Sequence, residues 1–168
     1  MESHPVIWPN HNLFLEIGFT SLLKNRFCNH QFNEVIFVDF SIYNIKLFTN
    51  DEWITFLEKT AMRIVLIYDK HMEALANYWL RVSLRITRAI AIRDSYRFLS
   101  IEHSRDYWRP SGKKKLTETE LLILDLFLAG NSVRDISYRL DFNEKRIYTL
   151  QYSLEKKLGI RMKAILTI

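Results

Sequence analysis

With 168 residues, 48% of them apolar, the chain can bury one core or two small ones, and two modest domains are the expectation. The net charge of +5 is uneven: residues 113–168 hold 11 Lys/Arg against 7 Asp/Glu, whereas residues 1–112 hold 13 against 12, so the part that attracts polyanions is C-terminal. No run approaches the roughly 18 apolar residues of a membrane span, the start lacks the basic-then-apolar order of a signal peptide, and the lone Cys28 excludes an intramolecular disulfide; a cytoplasmic protein without a membrane role is expected.

The first 108 residues alternate β-rich apolar runs with helical patterns, the signature of an α/β layer on a mostly parallel sheet. Strands are predicted over Pro5–Trp8, Glu34–Phe40, Arg63–Tyr68 and, as a short edge strand, Ile86–Ile92. Between the first two, Leu15, Phe19, Leu22, Leu23 and Phe27 fall at helical spacing behind a capping Asn12. A short helix over Asp51–Lys59 puts Trp53, Ile54 and Leu57 on one side, with Asn50 as cap; another is predicted over Met72–Leu80. Asp94 or Ser95 caps a last helix of this part, running through Phe98 and Leu99 toward Tyr107.

Pro110, Ser111 and Gly112 then break regular structure beside three lysines, which makes 109–115 a linker between an N-terminal domain (1–108) and an all-α C-terminal domain (116–168). Thr117 precedes an acidic first turn (Glu118, Glu120) and a stripe of Leu121, Leu124, Phe127 and Leu128 that ends at Gly130. Ser132 caps a second helix with Val133, Ile136 and Leu140 inward. Asp141-Phe142 turns the chain, and Asn143 caps a third helix packed through Ile147, Leu150, Leu154 and Leu158. Two short helices, a tight turn and a longer helix make a helix-turn-helix. The outward side of the third helix carries Lys145, Tyr148, Thr149 and Tyr152, with Arg146 at its start and Lys156 and Lys157 in its last turns. Major-groove reading needs such an arrangement, although an ordinary amphipathic helix with a solvated polar side has the same periodicity.

From Leu116-Thr117 onward, the segment resembles the LuxR-type family of helix-turn-helix regulators. The resemblance rests on Glu120, Ile123-Leu124, Gly130-Asn131-Ser132, Ile136 with Leu140, Asn143, Ile147, Leu154 and Lys157-Leu158-Gly159-Ile160, in register without a gap. It implies base reading at Tyr148, Thr149 and Tyr152, and phosphate contact at Arg134, Lys145, Arg146, Lys156 and Lys157, on double-stranded promoter DNA. Where the family has Lys then His on the recognition helix, this chain has Tyr148 and Leu150, so the operator of better-known members does not carry over. The family's final helix, often a dimer contact, is abbreviated here to Met162–Ile168, which counts against self-association through it.

The front part resembles a shortened response-regulator receiver, with Val35-Ile36-Phe37-Val38-Asp39 like the strand that ends in a phosphoacceptor aspartate. Phosphoryl transfer there needs Mg²⁺ held by further carboxylates, plus a hydroxyl and a lysine. Pro9 and Asn10 stand at the acidic pair, Tyr68-Asp69 near the hydroxyl, and Arg93 nearest the lysine. Asp39 is therefore expected to be a polar strand end, a vestigial phosphoacceptor in a pseudo-receiver that serves as an interaction surface.

The chain is thus similar to accessory LuxR-type activators of enteric bacteria. That implies a transcription regulator independent of phosphorylation, acting as a heterodimer with a LuxR-type response regulator or as a homodimer, with RNA polymerase as a further partner. The alternatives are a response regulator phosphorylated at Asp39 and an antagonist that sequesters a related regulator. No enzyme, metal or cofactor motif stands out: His4, His11, His30, His71 and His103 have no Cys or His at ligand spacing, and read as surface or capping groups. Neither a Gly-rich phosphate loop nor a nucleophile elbow occurs, and Tyr96, Phe98, Tyr107 and Trp108 follow one helix side as packing.

Overall fold

The computed structural model describes residues 6–9, 12–24, 35–94 and 114–168, with side chains 22–24 left out of the description. The helix expected toward Tyr107, most of the linker, Cys28, Phe27 and the histidines other than His71 lie outside the described residues. The described elements run β1 (Val6–Trp8), α1 (Leu13–Lys24), β2 (Val35–Phe40), a 3-10 segment (Ile42–Phe48), α2 (Glu52–Glu58), β3 (Arg63–Tyr68), α3 (Glu73–Val82), β4 (Ile86–Ala91) and a 3-10 turn (Ile92–Asp94). Four helices follow in the C-terminal part: α4 (Glu118–Leu128), α5 (Val133–Leu140), α6 (Glu144–Leu158) and α7 (Met162–Ile165).

The strands pair in the order β1-β2-β3-β4, all parallel, so the mostly parallel α/β sheet expected from the sequence is present. Parallel sheets are covered on both sides, which is why β2 reads as a nearly unbroken apolar run and is buried along its whole length. Ile36, Val38 and Phe40 face one way, with Ile64 and Leu66, into a core shared with the 3-10 segment, α2 and α3. Val35, Phe37, Val65, Ile67 and Ile90 face the other way and meet Leu15 and Phe19 of α1. Asn12 caps α1 as expected, its Oδ1 accepting from the Leu15 N–H at 3.0 Å.

Some local features differ from expectation. The 3-10 segment is a feature the strand-helix alternation passes over: Ile42, Ile45 and Phe48 are buried at a spacing of three, the period of a 3-10 helix. Its last ring lies 4.1 Å from Phe40 and 5.2 Å from Trp53, and the Trp79 Nε1–H donates to the Phe48 carbonyl at 2.8 Å. α3 runs two residues beyond Leu80, and β4 stops at Ala91 because Ile92 starts the next 3-10 turn. β4 is not smoothly registered either. The pairing slips between Ile64 and Val65, and the hydroxyl of the extra residue, Thr87, donates to the Ile64 carbonyl at 3.1 Å.

The helical C-terminal part is seated on α3 and the 3-10 segment by four polar contacts. Asn77 Nδ2 donates to the Lys114 carbonyl (2.9 Å), the Leu116 N–H to the Ala74 carbonyl (3.3 Å), Thr49 Oγ1 to Asp125 Oδ1 (2.5 Å) and His71 Nδ1 to the Leu158 carbonyl (2.8 Å). A carbonyl only accepts, so the ring proton of His71 sits on Nδ1. Leu116 is fully buried, and apolar packing is continuous across this seam. Lys114 and Lys115 are exposed, as expected of a hydrated linker end, but the backbone beside them is bonded to α3.

Candidate nucleic-acid interface

The first three helices of the C-terminal part each begin with the cap the sequence announces. Thr117 and Glu120 form a reciprocal capping box, Ser132 and Asp135 form another, and Asn143 Oδ1 accepts from the Arg146 N–H at 2.8 Å. Asp135 is held below the usual carboxylate range by the hydrogen bonds of Ser132. The stops are equally defined: Asp141, the residue after α5, takes φ 52, and Gly159 after α6 takes φ 66, a conformation that favours glycine.

These boundaries fix the sides of α6. Ile147, Leu154 and Leu158 are fully buried, while Tyr148 and Tyr152 keep 57% and 69% of their surface in solvent. Lys145, Thr149 and Lys156 are exposed as well, and their spacing along the helix places them on the same side as the two tyrosines. Among the described residues, the front half does not cover this side, although α3 packs beside α6 and His71 bonds its last carbonyl. Thr149 Oγ1 donates to the Lys145 carbonyl at 2.9 Å. Arg134 is exposed on α5. Arg146 is exposed on the first turn of α6, with its guanidinium 3.6 Å from the centroid of the Phe142 ring.

Lys157 departs from its expected role. Its ammonium donates to both oxygens of Glu120, at 2.7 and 2.6 Å, and Ser153 Oγ donates to the same carboxylate at 2.7 Å. The Glu120 side chain is only 3% exposed, so Lys157 is the counter-ion of a buried acid. Burial pushes the Glu120 carboxyl up, but the hydrogen bonds from Lys157, Ser153 and Thr117 outweigh it and hold the group below the usual carboxylate range. The sequence marks Glu120 as an acid of the first turn and of the family pattern; its pairing with residues 33 and 37 positions away leaves no local signal.

At the other candidate position, Asp39 ends β2 with 5% exposure. Its Oδ2 accepts from Asn12 Nδ2 at 3.1 Å and Asn44 Nδ2 at 3.2 Å, joining α1, β2 and the 3-10 segment. Asp69 is occupied with backbone amides, taking those of Ile42 (2.7 Å), His71 (2.8 Å) and Met72 (3.3 Å). Burial pushes the Tyr68 phenol up. Among the described residues, no three His, Cys, Asp or Glu side chains gather as a metal site. Nor is any described helix long and apolar enough to cross a membrane.

Residues 1–105 match the EcpR N-terminal domain, and residues 114–168 match the bacterial regulatory proteins of the luxR family. The chain belongs to the EcpR N-terminal domain family and ends in a luxR-family domain. It is 30% identical over 158 residues to the uncharacterized protein YqeH of Escherichia coli K12, covering 91% of this chain and 75% of that protein. Among solved structures it is similar to two RcsB dimers bound to two parallel DNAs (18% identity, 90% of this chain and 79% of that one, TM-score 0.42). It is also similar to the RcsB response regulator of Salmonella typhimurium (17% identity, 98% of each chain, TM-score 0.37). The exposed row on α6 lies within the luxR-family domain.

Proposed function

We propose that the protein binds promoter DNA with α6 in the major groove, reading bases through Tyr148, Thr149 and Tyr152. Arg134, Lys145, Arg146 and Lys156 neutralise phosphates. The observation that carries this reading is the outward row on α6: polar and aromatic side chains stand in solvent while Ile147, Leu154 and Leu158 anchor the helix from beneath. The test is an anisotropy titration of the full chain against a duplex selected from genomic fragments and a random one. Lys145→Ala weakens both alike and flattens the salt dependence, whereas Tyr152→Ala weakens the selected duplex more. Equal losses on both duplexes for Tyr152→Ala overturn its base-reading role.

Regulation is independent of phosphorylation in this proposal, and the protein works in the cytoplasm on nucleoid DNA. Two observations support that reading. The Asp39 carboxylate is already bonded by two asparagine amides, and Tyr148 and Tyr152 of α6 stay exposed beside the described residues of the front half. After acetyl phosphate and Mg²⁺, intact mass is expected to stay constant; an added phosphoryl group restores the response-regulator alternative. The division at 109–115 makes the front domain a pseudo-receiver that meets a related LuxR-type regulator or a second copy, and the assembly addresses RNA polymerase as an activator. The apolar outer side of α1 supports such a contact, with Leu13, Phe14 and Ile17 all more than half exposed. Phe14→Glu is expected to abolish association in co-purification and leave folding intact.

A further inference from the structure

Phe142 lies in the turn between α5 and α6 and is fixed at both of its backbone polar groups. Its N–H donates to the Ser137 carbonyl at 3.1 Å, and its own carbonyl accepts from Ser137 Oγ at 2.5 Å. The half-buried ring is therefore carried on a rigid piece of backbone. Against it lies the Arg146 guanidinium, at 3.6 Å from the centroid, well inside the roughly 6 Å reach of a cation-π contact. Arg146 is fixed at its own backbone by the Asn143 cap. Among the described residues, no carboxylate or carbonyl accepts a hydrogen bond from this guanidinium.

The chemistry of a guanidinium separates its two kinds of surface. The flat face stacks on an aromatic ring, while all five N–H donors lie in the plane and point out from the edge. Phe142 occupies a face and leaves the fork free. The fork also stands in the first turn of a helix, beside Lys145 and Glu144, where the helix dipole favours an anion.

We propose that Phe142 is a positioning residue for DNA binding, holding the Arg146 fork in place to grip one backbone phosphate where the recognition helix enters the groove. Stacking restricts the long side chain before binding, so less rotamer freedom is lost when the phosphate arrives. The ligand is a phosphodiester of the duplex, and the contact carries no sequence information. The inference rests on the DNA-reading proposal above.

The test measures affinity of the full chain for a selected and a random duplex between 50 and 200 mM salt. Arg146→Ala is expected to weaken both duplexes equally and make the log–log salt slope shallower by about 0.9. Phe142→Leu keeps the charge and loses the stack, so affinity falls about threefold with the slope unchanged. Phe142→Tyr retains unaltered affinity. Arg146→Lys, which cannot present a planar fork, matches the Phe142→Leu loss, and Phe142→Leu added to Arg146→Ala costs nothing further. Thermal unfolding of each variant reports on folding. If Phe142→Leu unfolds the turn, the paired Phe142→Tyr and Arg146→Lys results decide. The assignment is overturned by a Phe142→Leu loss that persists in the Arg146→Ala background, by an idle Phe142→Leu, or by a loss confined to the selected duplex. Absence of binding by the unaltered chain brings down the DNA reading beneath it, whereas additive losses in a chain that binds bring down Phe142 alone.

Discussion

The exposed side of α6 and the corner at Asp39 use polar side chains in opposite ways. Along α6, Tyr148, Tyr152 and Lys145 face solvent, while the residues that hold the helix are apolar and lie on its other side. At the end of β2, Asp39 is buried and its carboxylate is bonded by Asn12 and Asn44, side chains of the same fold. Polar groups that satisfy one another hold elements together; polar groups left in solvent above an apolar base are available to a ligand. Glu120 and Lys157 belong with Asp39 in this respect, although they sit within the luxR-family domain.

The sharpest break of that comparison is Glu120→Ala, which strands a partly buried ammonium and removes the acceptor of Ser153. A loss of about 3 kcal/mol in urea unfolding is expected. Asp39→Ala takes the acceptor of the Asn12 amide and one of the acceptors of Asn44, and is expected to cost about 2 kcal/mol, with DNA affinity unchanged once folded. Lys145→Ala reverses this pattern, with stability unchanged and the salt slope shallower by about 0.9. Acid sharpens the contrast further. Because the folded Glu120 carboxyl titrates below its unfolded value, its stabilisation is full above the ordinary carboxylate pKa of about 4.3 and fades as pH falls through the depressed folded value. Glu120→Gln is expected to flatten that acid limb in a pH series of unfolding midpoints. The smallest effect belongs to Phe14→Glu, at a side chain 88% exposed, where unfolding is expected to move by less than about 0.5 kcal/mol.

The C-terminal helices were legible because their ends are written locally: Thr117, Ser132 and Asn143 each bond an amide three residues on. The strands were legible as apolar runs, since a parallel sheet buries both faces. The 3-10 segment carried a usable signal in the spacing of Ile42, Ile45 and Phe48, but a strand-helix alternation has no place for it. What joins the halves was not legible. Thr49 with Asp125, Asn77 with Lys114, and His71 with Leu158 are 76, 37 and 87 residues apart, and no single member announces its partner. Lys157 shows the same blindness within the site, since a lysine near a helix end has the same appearance whether it reaches for solvent or for a buried acid.

The imidazole of His71 grips the final carbonyl of the recognition helix from the segment that leads into α3. The front half and α6 are thereby tied, like a handle fixed to the heel of a blade. On the proposed reading, whatever the front half holds bears on the rod that meets DNA.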